Sequence, residues 1–134
     1  MSPEEILVPV RSDTDVLIAR QKARLMVQPL RFSTSELTLV ATAISEVARN
    51  IVSYAGAGDI VLRMVRRGKA RGLMVVARDQ GPGIADLDRA MEDGYSTSGG
   101  LGLGLPGSRR LMDEFQIVSA PGKGTVVTMT KWER

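Results

Sequence analysis

The chain has 134 residues, a length that fits one domain (residues 1–134) with its own hydrophobic core. It carries a net charge of +3 and contains neither cysteine nor histidine. These absences exclude disulfides, thiolate metal sites and any nucleophile activated by a histidine base. Acid–base chemistry is therefore left to Asp, Glu or Lys, and a metal site would need a hard cation with oxygen ligands, which favours magnesium.

The sequence gives no sign of a targeting or membrane segment. Residues 1–10 begin with acidic residues, without the basic region of a signal peptide, and no apolar run approaches membrane-spanning length. We therefore expect a cytoplasmic protein without membrane contact. Basic residues cluster only between residues 63 and 71, and no aromatic residue interleaves with them, so we expect no nucleic-acid partner. A solvated turn is favoured there, and an acidic protein partner is the alternative.

The first half of the chain predicts one strand and two helices. Residues 6–10 alternate as a short strand does, and Asp13 or Thr14 can cap a helix that runs to about Val27. Residues 33–36 have the capping-box pattern, a hydroxyl residue followed three positions later by glutamate. The second helix that follows has a broad apolar face and ends near Gly56.

The second half predicts two hairpins around a glycine-rich segment. Residues 59–65 and 73–78 are β-rich and are joined by residues 66–72, which favours an antiparallel hairpin with a buried second strand. A short helix at 87–91, a helix from 105 to about 115 and a last hairpin of 117–119 with 125–132 follow. This order predicts an α+β fold, a two-layer α/β sandwich with helices on one face of a mixed, mostly antiparallel sheet.

The glycine-rich segment spans residues 79–107 and holds eight of the 14 glycines. Because ordering glycine costs extra backbone entropy, such a concentration indicates either a linker or a backbone that approaches a ligand closely. Linkers contain little besides Gly and Ser, whereas this segment has apolar residues at spaced positions. We interpret it as a ligand-binding loop system, with a nucleotide as the ligand.

Three groups of residues could carry chemistry. Glu46 and Asn50 lie one helical turn apart, where they are either surface residues or a base and a magnesium ligand. Asp79 ends a predicted strand before two glycines, so it belongs either to a turn or to a pocket that binds the exocyclic amine of a purine. Residues 99–104 run into a predicted helix N-terminus, which attracts phosphate. The G-x-G-x-x-G match at 102–107 is weak, because no strand immediately precedes it.

The ordered motifs SEVARN, DQGPGI, GGLGLGL and GKGT together resemble those of the GHKL (Bergerat-fold) ATPases. Within that superfamily the chain is similar to the anti-sigma-factor serine kinases, particularly the switch kinases of bacterial stressosomes. The resemblance implies ATP and Mg²⁺ as cofactors. It implies that Glu46 is the catalytic base, that Asn50 binds the metal and that Asp79 binds adenine with support from Thr125. Arg49 and Lys123 are further candidates. The remaining nucleotide-binding residues would be Gly81, Gly83, Gly99, Gly100, Leu101, Gly102, Leu103 and Gly104.

The resemblance also implies the partners. They would be STAS-domain antagonist and scaffold proteins as substrates, and a PP2C-type phosphatase that the released kinase would activate. The alternatives are an anti-sigma factor that binds ATP and sequesters a sigma factor, and a degenerate nucleotide-binding module, against which Glu46 argues. Since the chain has no histidine, it cannot phosphorylate a histidine of its own as sensor kinases do.

Overall fold

The computed structural model describes residues 5–83 and 104–134. The elements follow one another as a strand, two helices, a hairpin, a third helix and a second hairpin. A single π-helical turn, Ile51–Ala55, extends the second helix. In chain order they are β1 (Glu5–Val10), α1 (Asp13–Met26), α2 (Thr34–Asn50), β2 (Gly58–Arg67), β3 (Ala70–Asp79), α3 (Gly104–Leu111), β4 (Glu114–Ser119) and β5 (Thr125–Trp132).

The five described strands form one sheet in the order β1-β2-β3-β5-β4, and each of the four pairings is antiparallel. The predicted α+β sandwich is therefore confirmed, and in the described ranges the sheet is antiparallel throughout. The third strand lies at the centre of this order, between β2 and β5, as the apolar run at 73–77 predicts. No helix in these ranges is both long and apolar enough to cross a membrane.

The first two helices both begin after a serine, although the first start differs from the prediction. Ser12, not Asp13 or Thr14, is the N-cap of α1, and its side chain makes no capping hydrogen bond. Asp15 instead accepts a hydrogen bond from the N–H of Arg11 at 2.8 Å. The capping box of α2 is confirmed, because Ser33 and Glu36 exchange side-chain to backbone hydrogen bonds of 3.1 Å. The π-helical turn after α2 closes on Gly56.

The β2–β3 hairpin is tighter than the sequence predicts. Arg67 pairs with Ala70, so only Gly68 and Lys69 form the turn, where a seven-residue connection was expected. Gly68 has a φ of 61°, the positive value that the first turn residue of a type II′ hairpin requires. The ladder extends to the turn because each further pair adds hydrogen bonds without lengthening the loop.

The helix predicted for residues 105–115 ends early, at Leu111. Phe115 lies instead in β4, where it pairs with Met129. Hydrogen bonding to the sheet begins at Asp113, whose N–H donates to the carbonyl of Thr130 at 3.0 Å. The helix predicted at 87–91 lies outside the described residues.

The hydrophobic core lies between the sheet and the helices. Alternate residues of each strand face α1 and α2, and α2 also packs against α3. Since α2 contacts both other helices, its C-terminal end is held at a fixed position above the sheet. The fully buried residues at the centre of this core are Ile44, Val47, Ile60, Leu62, Leu73, Val75 and Met129.

Candidate functional site

A row of short or polar residues crosses one end of the sheet. Asp79, the last residue of β3, pairs with Gly58 on one side and with Thr125 on the other, and Thr125 pairs in turn with Ser119. Residues directly opposite in an antiparallel ladder place their side chains on the same face. The carboxylate and the two hydroxyls therefore lie side by side on the face that the helices cover.

The Asp79 carboxylate is half-buried and holds the loop that follows it. Its Oδ1 accepts a hydrogen bond from the N–H of Gly81 at 2.9 Å. Its Oδ2 makes no hydrogen bond with any residue in the described ranges. One carboxylate oxygen is thus used to shape the turn, and the other can accept a hydrogen bond from a ligand.

Gly81 and Gly83 allow close packing of this loop on two sides. A Cβ at Gly81 would lie 2.6 Å from the Cβ of Ala55, in the turn that follows α2. Gly83 has a φ of 76°, and a Cβ there would lie 2.0 Å from the carbonyl oxygen of Ala120. No other residue fits either position without displacing its neighbour, so the two glycines join the loop after β3 to α2 and to the second hairpin.

The turn of the second hairpin also contacts the loop that follows β3. The N–H of Gly122 donates to the carbonyl of Pro82 at 2.7 Å. Gly124 has a φ of 76°, and a Cβ there would lie 2.2 Å from the carbonyl oxygen of Asp79. The GKGT motif therefore has a structural role that the sequence did not reveal, which is to fix the backbone of the aspartate. Lys123 is exposed beside it.

Ser119 lies in the same row as Asp79 and Thr125, but its sequence position did not predict this. Its hydroxyl lies 2.8 Å from Oγ1 of Thr125 and donates to the carbonyl of Gly124 at 3.0 Å. The sequence holds a signal for it, since Ser119 shares the inward face of β4 with the partly buried Phe115 and Ile117. Only the β4–β5 register shows that it lies beside Thr125.

The second part of the site is the last turn of α2. Glu46 is buried, with 5% of its surface exposed, and its Oε1 lies 3.3 Å from Nη1 of Arg49. Asn50, one turn after Glu46, is half-buried and ends the helix. Because Gly81 contacts Ala55, the π-helical turn brings the loop after β3 beside this end of α2.

The structure places the predicted residues that it describes on neighbouring elements. Asp79, Gly81 and Thr125 lie at the sheet end, and Glu46 and Asn50 on the neighbouring helix. Gly104 is the first residue of α3, which packs against α2. The other predicted residues of the phosphate-binding loop, Gly99, Gly100, Leu101, Gly102 and Leu103, lie outside the described residues.

The residues present fit a magnesium ion that is held mainly by a phosphate ligand. The part of the chain that the structure describes contains no group of three carboxylate, histidine or cysteine side chains that could hold a metal by itself. Asn50 offers a single amide oxygen. Mg²⁺ commonly keeps several waters and takes one or two protein ligands together with substrate phosphates, so one protein ligand is sufficient.

Comparison with known proteins agrees with this geometry. Residues 35–134 match the family model described as histidine kinase-, DNA gyrase B- and HSP90-like ATPase. The chain is 47% identical to the serine/threonine-protein kinase RsbT of Bacillus subtilis, over 98% of both chains. It is 32% identical to an anti-sigma F factor of a Thermoanaerobacter species, over 72% of this chain and 71% of the relative.

A solved structure shares the fold. It belongs to the mycobacterial sensor histidine kinase MprB and superimposes with a TM-score of 0.57 at 20% sequence identity, covering 96% of this chain and 99% of that one. A likeness at this identity concerns the architecture alone. The family match and the 47% identity go further, and they show that the chain belongs to the histidine kinase-, DNA gyrase B- and HSP90-like ATPases and, among them, to the serine/threonine-protein kinases related to RsbT.

Proposed function

We propose that the chain is a cytoplasmic kinase that uses Mg²⁺ and ATP to phosphorylate serine or threonine in small STAS-domain antagonist and scaffold proteins. It would act in a partner-switching pathway that controls a sigma factor in the stress response, as part of a stressosome. On release from its scaffold it would bind and activate a PP2C-type phosphatase. The observation that carries the proposal is the buried Glu46 one turn before Asn50, on the helix whose π-helical extension the Asp79 loop contacts.

Each residue has a defined task in this proposal. Oδ2 of Asp79, which has no hydrogen-bond partner in the described ranges, accepts a hydrogen bond from the exocyclic amine of adenine, and Thr125 with Ser119 can hold a bridging water. Asn50 holds the metal, which neutralises phosphate charge when it is bound. Glu46 accepts the proton of the substrate hydroxyl. Phosphoryl transfer needs mainly positioning and charge stabilisation, so this small set of groups is sufficient.

The catalytic and binding tasks can be separated by two substitutions. We expect Glu46→Gln to retain ATP affinity while lowering the rate of transfer by about 10²–10⁴-fold, the usual contribution of a general base. We expect Asp79→Asn to weaken ATP binding first, because an amide replaces the acceptor of the adenine amine. Calorimetry gives the ATP affinity, and labelled ATP with a STAS-domain protein from the same genome gives the rate. Transfer at the normal rate by Glu46→Gln would disprove its role as the base.

We propose that a groove between α1 and α2 is the docking surface for the protein substrate. The groove, of about 500 Å³, lies between α1 and α2, and its walls include Leu17, Leu37, Arg20 and Arg24. Within the described residues the two arginines make no hydrogen bond or ion pair. Thr42, at one end of the groove, precedes Glu46 by one helical turn. We propose that carboxylates of the substrate protein pair with Arg20 and Arg24.

This docking is tested by reversing the two charges. We expect the double variant Arg20→Glu with Arg24→Glu to raise KM for the protein substrate at least about tenfold, because two attractive charge pairs become repulsive. Affinity for ATP should stay unchanged. Lys22→Glu is the matched control, since it reverses an exposed charge on α1 outside the groove. An equal rise in KM for the control would mean that general charge, and not the groove, attracts the substrate.

The second candidate function is that of an anti-sigma factor, which the 32% identity to an anti-sigma F factor favours. Both functions use the same nucleotide site and differ in the protein that is bound. Size-exclusion chromatography with candidate partners separates them. Retention of a sigma factor would favour sequestration, whereas ATP-dependent phosphorylation of a STAS-domain protein favours the kinase.

A further inference from the structure

We propose that Arg49 is a further catalytic residue of the transfer reaction. It orients the carboxylate of Glu46 and presents its unused N–H groups to the oxygens of the phosphoryl group in transfer. This inference rests on the proposed kinase function and assigns a role to the residue between the base and the metal ligand.

The contact between Arg49 and Glu46 joins an accessible cation to a buried anion. Nη1 of Arg49 lies 3.3 Å from Oε1 of Glu46, three positions earlier on the helix. The side chain of Glu46 is 6% exposed and that of Arg49 is 43% exposed. The contact holds the buried carboxylate in place, while almost half of the Arg49 side chain stays accessible.

The guanidinium of Arg49 is mostly uncommitted. A guanidinium has five N–H donors, and here one of them bonds to Glu46, with no other partner in the described part of the chain. Arg71 shows the contrast. Its Nε and Nη2 contact Glu133, and Nη2 also donates to the carbonyl of Pro29 at 2.8 Å. Arg71 is fixed by its partners as a structural arginine is, whereas Arg49 keeps donors for another anion.

The chemistry of the transfer gives those donors a use. The substrate oxygen forms a bond to the γ-phosphorus, the bond from that phosphorus to its bridging oxygen breaks, and ADP leaves. The proton of the hydroxyl moves to the carboxylate of Glu46. Once Glu46 is neutral, its attraction for Arg49 weakens, and the guanidinium can bind the phosphoryl oxygens, for which its planar fork is well shaped.

The test compares Arg49→Gln with Arg49→Lys and uses Arg63→Gln as the matched control. Arg63 is about as exposed as Arg49, at 48% against 43%, and the control variant removes its ion pair with Glu5 at 2.8 Å, on the opposite side of the sheet from the helices. Three quantities are measured for each variant: the thermal midpoint without nucleotide, the affinity for ATP by calorimetry, and kcat for the protein substrate. The thermal midpoint and the ATP affinity report on structure and binding independently of turnover.

We expect Arg49→Gln to lower kcat by about 10²-fold, the loss seen when one donor to a developing charge is removed. ATP affinity should change less than about threefold, because the lost contact belongs to the transition state. Arg49→Lys should recover at least about tenfold of the lost rate, since it restores the charge without the fork. The control should leave kcat unchanged.

Combining Arg49→Gln with Glu46→Gln in a double variant tests whether the two residues act together. If Arg49 acts partly through the base, the double variant loses less rate than the sum of the two single losses. Fully additive losses, or wild-type kcat in Arg49→Gln, would overturn the inference. Failure of the wild-type protein to transfer phosphate at all would refute the kinase proposal instead, so the two failures are distinguishable.

Discussion

Replacing Gly124 by alanine is expected to damage both folding and nucleotide binding, whereas the same change at Gly122 is expected to be mild. Both glycines lie in the turn of the second hairpin and have a φ of 76°. They differ in their surroundings. A Cβ at Gly122 would meet nothing within 4 Å, whereas a Cβ at Gly124 would lie 2.2 Å from the carbonyl oxygen of Asp79 and 2.9 Å from Cα of Gln80.

Comparing the two alanine variants distinguishes the cost of backbone strain from the cost of steric overlap. Forcing an alanine to a positive φ costs about 1–2 kcal/mol, and this cost is common to both variants. Overpacking a closely packed position adds about 1–3 kcal/mol, and this applies to Gly124 alone. We therefore expect losses of about 1–2 kcal/mol for Gly122→Ala and about 2–5 kcal/mol for Gly124→Ala. The overlap can be relieved only by moving the backbone of Asp79, so ATP affinity should fall at least about tenfold in Gly124→Ala alone.

Urea unfolding gives the stability of each variant, and calorimetry with Mg²⁺ and ATP gives the affinity. Both titrations are made at a temperature where each variant is folded. Equal losses of stability in the two variants, with equal ATP affinities, would refute the reasoning that the second hairpin fixes the position of Asp79.

Two further predictions concern stability away from the site. Hydrogen bonds from the Arg71 side chain and then from the Arg31 N–H lower the pKa of Glu133 to about 2. The stability it contributes is therefore fully present above pH 4.5, the usual pKa of the carboxyl, and is lost as the pH falls to about 2. In Glu133→Gln, the free energy of unfolding should depend less on pH within that window than it does in the wild type. Parallel curves of unfolding free energy against pH for the two proteins would contradict this. Ser33→Ala should cost about 1 kcal/mol in urea unfolding by removing the capping box, whereas Ser35→Ala should cost little.

Local interactions along the chain determined much of the fold. The capping box at Ser33 and Glu36 bonds residues three positions apart, so it can be recognised without a structure. Runs of β-rich residues likewise predicted the two strands of the first hairpin. The errors arose where distant pairing overrode local pattern. Phe115 fits the period of the preceding helix, but its pairing with Met129 places it in a strand.

The tertiary structure alone decided how the candidate site is assembled. Asp79 and Thr125 are far apart in the sequence, and the β3–β5 pairing places them side by side. The β4–β5 pairing adds Ser119, and Gly124 packs against the backbone of the aspartate. Residue types and spacing can indicate chemistry, because side-chain properties are local. They cannot specify strand order or close backbone contacts, because these depend on how the whole core packs.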